Sequence, residues 1–174
     1  MSDTTLVQTK TSPLPAWLRA MRPKQWVKNI LVFAAPVAAG ALFDPRVLIN
    51  SLWAFVSFSL ISASIYLIND VRDVDADRLH PKKRFRPIAA GELGPRTATI
   101  LAAVTMIGSL ALGWWVAPML GITLAVYWVL QVGYSMFLKH QPIIDLAMVT
   151  SGFLLRAVAG GVASGIELSQ WFLL

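Results

Sequence analysis

The chain has 174 residues, 56% of them apolar and 14% charged, with a formal net charge of +6. A charged share well below the roughly 25% of ordinary soluble domains places it in the membrane class. It has no cysteine, which excludes a disulfide framework and a thiolate metal site.

Residues 1 to 15 hold Asp3 and a polar, Pro-containing stretch, do not fit a secretory leader, and are expected to form a mobile cytoplasmic tail. The first apolar segment, Trp26 to Phe43, is short and interrupted by Lys28, Asn29 and Pro36, yet it can span if flanking residues snorkel. At its entrance, Arg22-Pro23-Lys24-Gln25-Trp26-Val27-Lys28-Asn29 forms a basic patch. Lys24 and Lys28, four apart, share a face, and Trp26 reads as an interface anchor. Lys28 and Asn29 already lie inside the apolar region, which assigns them a substrate-facing role.

Val47 to Ile68 is the clearest span. It runs into Asn69-Asp70-Val71-Arg72-Asp73-Val74-Asp75-Ala76-Asp77, which puts four carboxylates at its mouth. Carboxylates beside a bilayer are costly unless a cation needs them. On a continuous helix, Asp70, Asp73 and Asp77 fall within about 60° of arc, with Asn69 at the edge and Asp75 on the opposite side. Such a set suits Mg²⁺, which takes one or two carboxylates plus substrate phosphates; a solvated acidic helix end is the plain alternative. The connection that follows carries Lys82, Lys83, Arg84 and Arg86, closed by Pro87. These charges serve either topology and anionic lipid, or, together with the acidic face, a Mg-diphosphate.

Thr97 to Trp115 and Leu120 to Leu138 form a third and fourth segment, joined through Pro118 by a link so short that it forces an antiparallel hairpin. Tyr134 and Lys139 close the fourth. Ile143 to Val162 is the fifth, with Asp145 near its start and Arg156 inside. Asp145 and Arg156 share a face but stand too far apart to pair, so Arg156 needs a partner on another helix or an anionic ligand. Gly160, Gly161 and Gly165 permit close helix contact. His80 and His140 are isolated, and neither is nominated as ligand or base. The last residues, Trp171-Phe172-Leu173-Leu174, look like the start of another span, so the chain is expected to be the N-terminal part of a longer protein.

No water at that depth satisfies a backbone, and strand-like alternation is absent, so the spans are helical. The expected fold class is all-α, a polytopic transmembrane bundle with about five helices here. Thirteen of the fifteen basic residues fall on the side of the N-terminus and the long loop, leaving Arg46 opposite and Arg156 inside. That side is therefore expected to be cytoplasmic.

The pattern Asn69-Asp70-x-x-Asp73-x-x-x-Asp77, followed by Lys83-Arg84-Phe85-Arg86-Pro87-Ile88-Ala89-Ala90-Gly91, resembles the first aspartate-rich motif of the UbiA superfamily of intramembrane prenyltransferases. The Arg22-to-Asn29 stretch, the Tyr134…Lys139-His140 ending and Leu155-Arg156-Ala157 narrow the resemblance to its phosphoribosyl-transferring members, actinobacterial enzymes of cell-wall arabinan synthesis. The resemblance, from about residue 17 onward, implies a nine-helix bundle, with residues 16–174 forming the N-terminal part of a single transmembrane domain. It implies that Asn69, Asp70, Asp73 and Asp77 hold Mg²⁺, and that Asp73, Asp77 and Lys28 carry catalysis. Lys24, Lys28, Asn69, Lys83, Arg84, Arg86, Tyr134, Lys139 and Arg156 would bind substrate. The family's second polar or acidic motif, in its later half, is not among these residues.

The implied reaction moves a 5-phosphoribosyl group from phosphoribosyl diphosphate (PRPP) onto decaprenyl or another polyprenyl phosphate at the plasma membrane, releasing diphosphate. The attacking phosphate, with a second pKa of about 6, is already ionised near neutral pH and needs no general base. Two rivals remain. One is prenyl transfer from a prenyl diphosphate to an aromatic acceptor; the other is a non-catalytic lipid-binding or transport module. The abundance of basic residues at the mouth favours the ribosyl donor, which brings an extra phosphate. Membrane lipid is a partner, a homo-oligomer is left open, and nucleic acid is disfavoured because the basic residues sit at membrane boundaries.

Overall fold

Residues 13–137 and 142–168 are described by the computed structural model; the tail to residue 12, Lys139, His140 and residues 171–174 lie outside the described residues. Within them every element is helical: α1 (Ala16–Ala20), a 3-10 segment (Pro23–Phe33), α2 (Ala34–Ala38), α3 (Pro45–Arg72), α4 (Val74–Leu79), a 3-10 turn (Lys83–Phe85), α5 (Pro95–Val116), α6 (Pro118–Phe137) and α7 (Pro142–Ser164). Four of these, α3, α5, α6 and α7, are long and apolar enough to cross a bilayer.

Proline at the first helical turn sets the start of α3 and α5, where a missing N–H costs nothing. Asp44 caps α3 by accepting from the N–H groups of Arg46 and Val47 at 2.9 and 3.2 Å. Ala117 alone separates α5 from α6, extended at φ −159° before Pro118. The expected hairpin follows, and it packs tightly: a Cβ at Gly113 would lie 2.4 Å from a Leu124 methyl. Gly165, at φ +68°, ends α7 in the left-handed conformation that favours glycine.

Two expectations are corrected. Residues 26–43 do not form one α-helical span; a long 3-10 segment runs directly into the short α2. Pro23 and Pro36 each remove a backbone donor, while Asn29 turns inward and is fully buried. At about 2.0 Å per residue the 3-10 stretch rises roughly 22 Å, so with α2 the segment still covers close to 30 Å. Nor is the acidic stripe on one continuous helix. Asp73 breaks it at φ −91°, ψ 11°, between α3 and α4. The four-residue spacing survives because Asp73 N–H donates to Asn69 and Asp77 N–H to Asp73, at 2.9 and 2.8 Å.

Helix α3 sits at the centre, packed against α5, α6, α7 and the long 3-10 segment. Small residues on it, among them Ser51, Ala54, Ser57, Ser62 and Ala63, let the neighbours approach, which is how helices pack where lipid supplies no hydrophobic drive. One apolar cluster joins Val32, Phe58, Ile61, Leu124, Tyr127 and Ala159. A second joins Ala20 and Met21 to Leu67, Ile88, Leu93 and Ala98. Through Ile88 and Leu93, that second cluster anchors the basic loop over the ends of α1 and α3.

Candidate functional site

The charged residues at the end of α3 face one another. Asp70 and Asp77 are buried to 3% and 2% exposure, and the Arg86 guanidinium donates to both, at 3.1 and 2.6 Å. Arg22 also pairs with Asp70, and Lys83 Nζ lies 3.9 Å from Asp77. Charges taken out of water hold only when paired and hydrogen-bonded, which explains why the loop folds back here. Arg22 reaches Asp70 from the sole non-glycine left-handed backbone among the described residues, φ 55°, ahead of Pro23. Its guanidinium also lies over the Tyr66 ring, 4.7 Å from the centroid. Such a backbone persists only where surroundings enforce it.

Asn69 turns elsewhere: its side-chain oxygen accepts from the Ser135 hydroxyl at 2.6 Å, while Arg72 donates to the Ser135 carbonyl. These bonds fix the end of α6 beside the end of α3. Asp75 is exposed and pairs with Arg78, so it does point away from Asp70 and Asp77.

Behind this mouth lies a cavity of about 360 Å³, lined by Lys28, Tyr66, Tyr127, Gln131, Tyr134, Asp145, Met148, Val149, Gly152, Phe153 and Arg156. Its size falls within the range of small-molecule sites. On α7 the lining residues recur at helical spacing from Asp145 to Arg156, roughly 16 Å along the axis. On the antiparallel α6, Tyr127, Gln131 and Tyr134 answer them. The Tyr134 hydroxyl donates to Asp145, Gln131 donates to the Met148 carbonyl at 3.4 Å, and Arg156 donates to the Tyr127 hydroxyl at 2.9 Å.

Arg156 has the partner on another segment that its depth requires. Its Nε donates to Asn29 Oδ1 at 2.8 Å and its Nη1 to the Gly152 carbonyl at 2.6 Å. The Phe58 and Tyr127 rings lie 5.3 and 5.1 Å from its guanidinium carbon. Asn29 donates in turn to Ser59 at 3.0 Å.

Of the residues nominated from sequence, Asp70, Asp77, Lys83 and Arg86 converge at the mouth, and Lys28, Tyr134 and Arg156 line the cavity. Lys24 is exposed and lines a separate recess with Arg19 and Arg22. Arg84 is exposed over Phe85. Lys139 is outside the described residues. Sequence reading did not nominate Arg22, Tyr66, Tyr127, Gln131 or Asp145 as site residues. A signal existed: Tyr66 stands four residues before Asp70, and Tyr127, Gln131 and Tyr134 share one face of α6.

Among the described residues, no group of three or more His, Cys, Asp or Glu side chains is gathered as a metal cage. Asp70 and Asp77, two of the three carboxylates expected to hold Mg²⁺, instead meet guanidinium groups, because two buried anions repel without a cation between them. As donors they still fit. A carboxylate offers about four lone-pair sites, more than the arginines take, and its hard oxygens suit Mg²⁺.

Fold and site together define an integral-membrane helical bundle with an ionic mouth at one end and a cavity behind it. The UbiA prenyltransferase family model matches residues 30–174, and the chain belongs to that family. It is 53% identical over 161 residues to a decaprenyl-phosphate phosphoribosyltransferase of Mycolicibacterium smegmatis, covering 90% of this chain and 51% of that protein. The protein of the same name from Corynebacterium glutamicum is 55% identical, covering 90% and 48%. That from Mycobacterium tuberculosis H37Rv is 47% identical, covering 100% and 59%. The chain thus spans about half the length of these relatives. In fold it is similar to a UbiA homolog from Archaeoglobus fulgidus solved with DMAPP and Mg²⁺, at TM-score 0.79 and 23% identity, covering 91% of this chain and 57% of that one.

Proposed function

We infer that the protein transfers a 5-phosphoribosyl group from PRPP to decaprenyl or another polyprenyl phosphate, releasing diphosphate, as a step in cell-wall arabinan synthesis. One observation carries this reading: relatives that bear the phosphoribosyltransferase name are 47–55% identical to this chain. The geometry supports it, because anion-binding groups occupy both the mouth and the cavity.

Asp70, Asp73 and Asp77, joined by Asn69 if its side chain leaves Ser135, would hold Mg²⁺, whose chemistry is to neutralise charge that builds on a leaving diphosphate. Arg22, Lys83 and Arg86 would exchange their carboxylate partners for phosphate oxygens in charge-assisted hydrogen bonds. Lys28, at the cavity wall, takes a further phosphate oxygen. Lys24, Arg84 and Lys139 raise the local concentration of anionic substrate. The acceptor phosphate attacks already ionised, so rate comes from positioning and electrostatics rather than from a base. The lipid chain lies along the exposed apolar helix faces, and the mouth opens to the cytoplasmic side of the plasma membrane.

The second reading is prenyl transfer, favoured by the Archaeoglobus fulgidus UbiA homolog solved with DMAPP or GPP and Mg²⁺. Incubating the full-length protein with radiolabelled PRPP and a polyprenyl phosphate separates the two. Label entering the lipid phase supports ribosyl transfer; label left in water, with prenylation of an added aromatic acid, contradicts it.

A further inference from the structure

Asp145 has no task in the reaction as outlined. Its carboxylate lies on the wall of a cavity whose other charged groups, Lys28 and Arg156, are cations suited to phosphate. A carboxylate there repels phosphate and offers nothing to a hydrocarbon chain. As an acceptor it can take hydrogen bonds from the hydroxyl groups of a ligand.

Its surroundings hold it ready for one. Tyr134 donates its hydroxyl to one carboxylate oxygen, which fixes the side chain and leaves the second oxygen to accept elsewhere. Gln131, one turn deeper on α6, adds an amide. The pair stands at the outer end of the cavity, level with the acidic mouth, because Ser135, next to Tyr134, donates to Asn69. Tyr66, on the same cavity wall, lies under Arg22, which pairs with Asp70, so a group bonded to a diphosphate held at the mouth would extend into the cavity that Asp145 and Tyr134 line. In a ribosyl donor that group carries two free hydroxyls; in a prenyl donor it carries none. We propose that Asp145, oriented by Tyr134, accepts hydrogen bonds from the hydroxyls of the donor sugar and so selects a ribosyl over a prenyl diphosphate.

This inference rests on the ribosyl-transfer reading and extends it to donor specificity. Asp145 also lies in the first turn of α7, where a carboxylate favours the helix dipole. That role alone predicts reduced stability with unchanged donor preference.

The test uses the full-length protein with PRPP, its 2-deoxyribosyl analogue as alternative donor, and inorganic diphosphate as competitive inhibitor. A site built to bond a hydroxyl rejects the analogue lacking it, so the unmodified protein should prefer PRPP by about ten-fold or more in kcat/KM. Asp145→Ala, and the isosteric Asp145→Asn should the first not fold, should raise the KM for PRPP about ten-fold and shrink that preference to about three-fold, with inhibition by diphosphate unchanged. Tyr134→Phe, acting by positioning, should raise KM less and leave kcat nearly intact. A variant that keeps the original preference overturns the proposal, as does an equal weakening toward PRPP and inorganic diphosphate. Absence of any ribosyl transfer by the unmodified protein would refute the reaction itself, a result distinct from transfer that ignores the missing hydroxyl.

Discussion

Arg156 donates from its Nε to the side-chain oxygen of Asn29, a buried 2.8 Å bond between residues 127 positions apart. It ties the long 3-10 segment to the last described helix, with the guanidinium further held by Tyr127 and Gly152. Arg156 thus binds three protein groups at once, and the inner wall of the cavity is set by it.

Replacing Asn29 by Ala removes that acceptor and also the donor to Ser59. A buried donor left without its partner costs about 1–3 kcal/mol, and more when it is charged. Thermal unfolding in detergent should show a lower midpoint for Asn29→Ala, with weaker donor binding because Arg156 is then held only by Tyr127 and Gly152. An unchanged midpoint would contradict the clamp.

Gly160 lies one turn beyond Arg156 and meets the backbone of the long 3-10 segment. A Cβ there would sit 1.7 Å from the Val32 carbonyl oxygen, whereas one at Gly133 would meet nothing within 4 Å. Gly160→Ala should force α7 away from that segment and abolish a monodisperse peak in size exclusion. Gly133→Ala should elute as the parent protein does.

At the mouth, Arg86→Ala strips Asp70 and Asp77 of the guanidinium they share. Donor KM should rise and transfer should fall about ten-fold or more, since two buried anions then lose the cation they share and keep only Arg22 and Lys83 beside them. Asp75→Asn is the matched control. Its exposed pairing with Arg78 is of a kind worth about 0–1 kcal/mol, so steady-state transfer should change by less than about two-fold.

The spans and the ionic mouth were legible because both are local signals. Long apolar runs specify helices in lipid, and charges at helix ends gather at the membrane boundary. The 3-10 conformation of Pro23–Phe33 was not, since hydropathy reports burial and not helix type. The break at Asp73 was likewise hidden, because each neighbouring residue tolerates a helix. Arg156 was legible as needing a partner, but the identity of that partner depends on how α7 crosses the first segment. The same holds for the sharing of Arg86 between Asp70 and Asp77, which requires the loop to fold back on Ile88 and Leu93.

The central claim is that the carboxylates at the end of α3 serve a metal-bound diphosphate donor. Its most direct test is Mg²⁺-dependent transfer of label from PRPP to a polyprenyl phosphate by the full-length protein carrying Asp77→Asn, beside the unmodified enzyme in the same detergent. Transfer should fall by about a hundred-fold or more with the protein still inserted and folded, as expected when a group that stabilises charge in the transition state is removed. Transfer within a few-fold of the unmodified protein, at the same Mg²⁺ requirement, would contradict it.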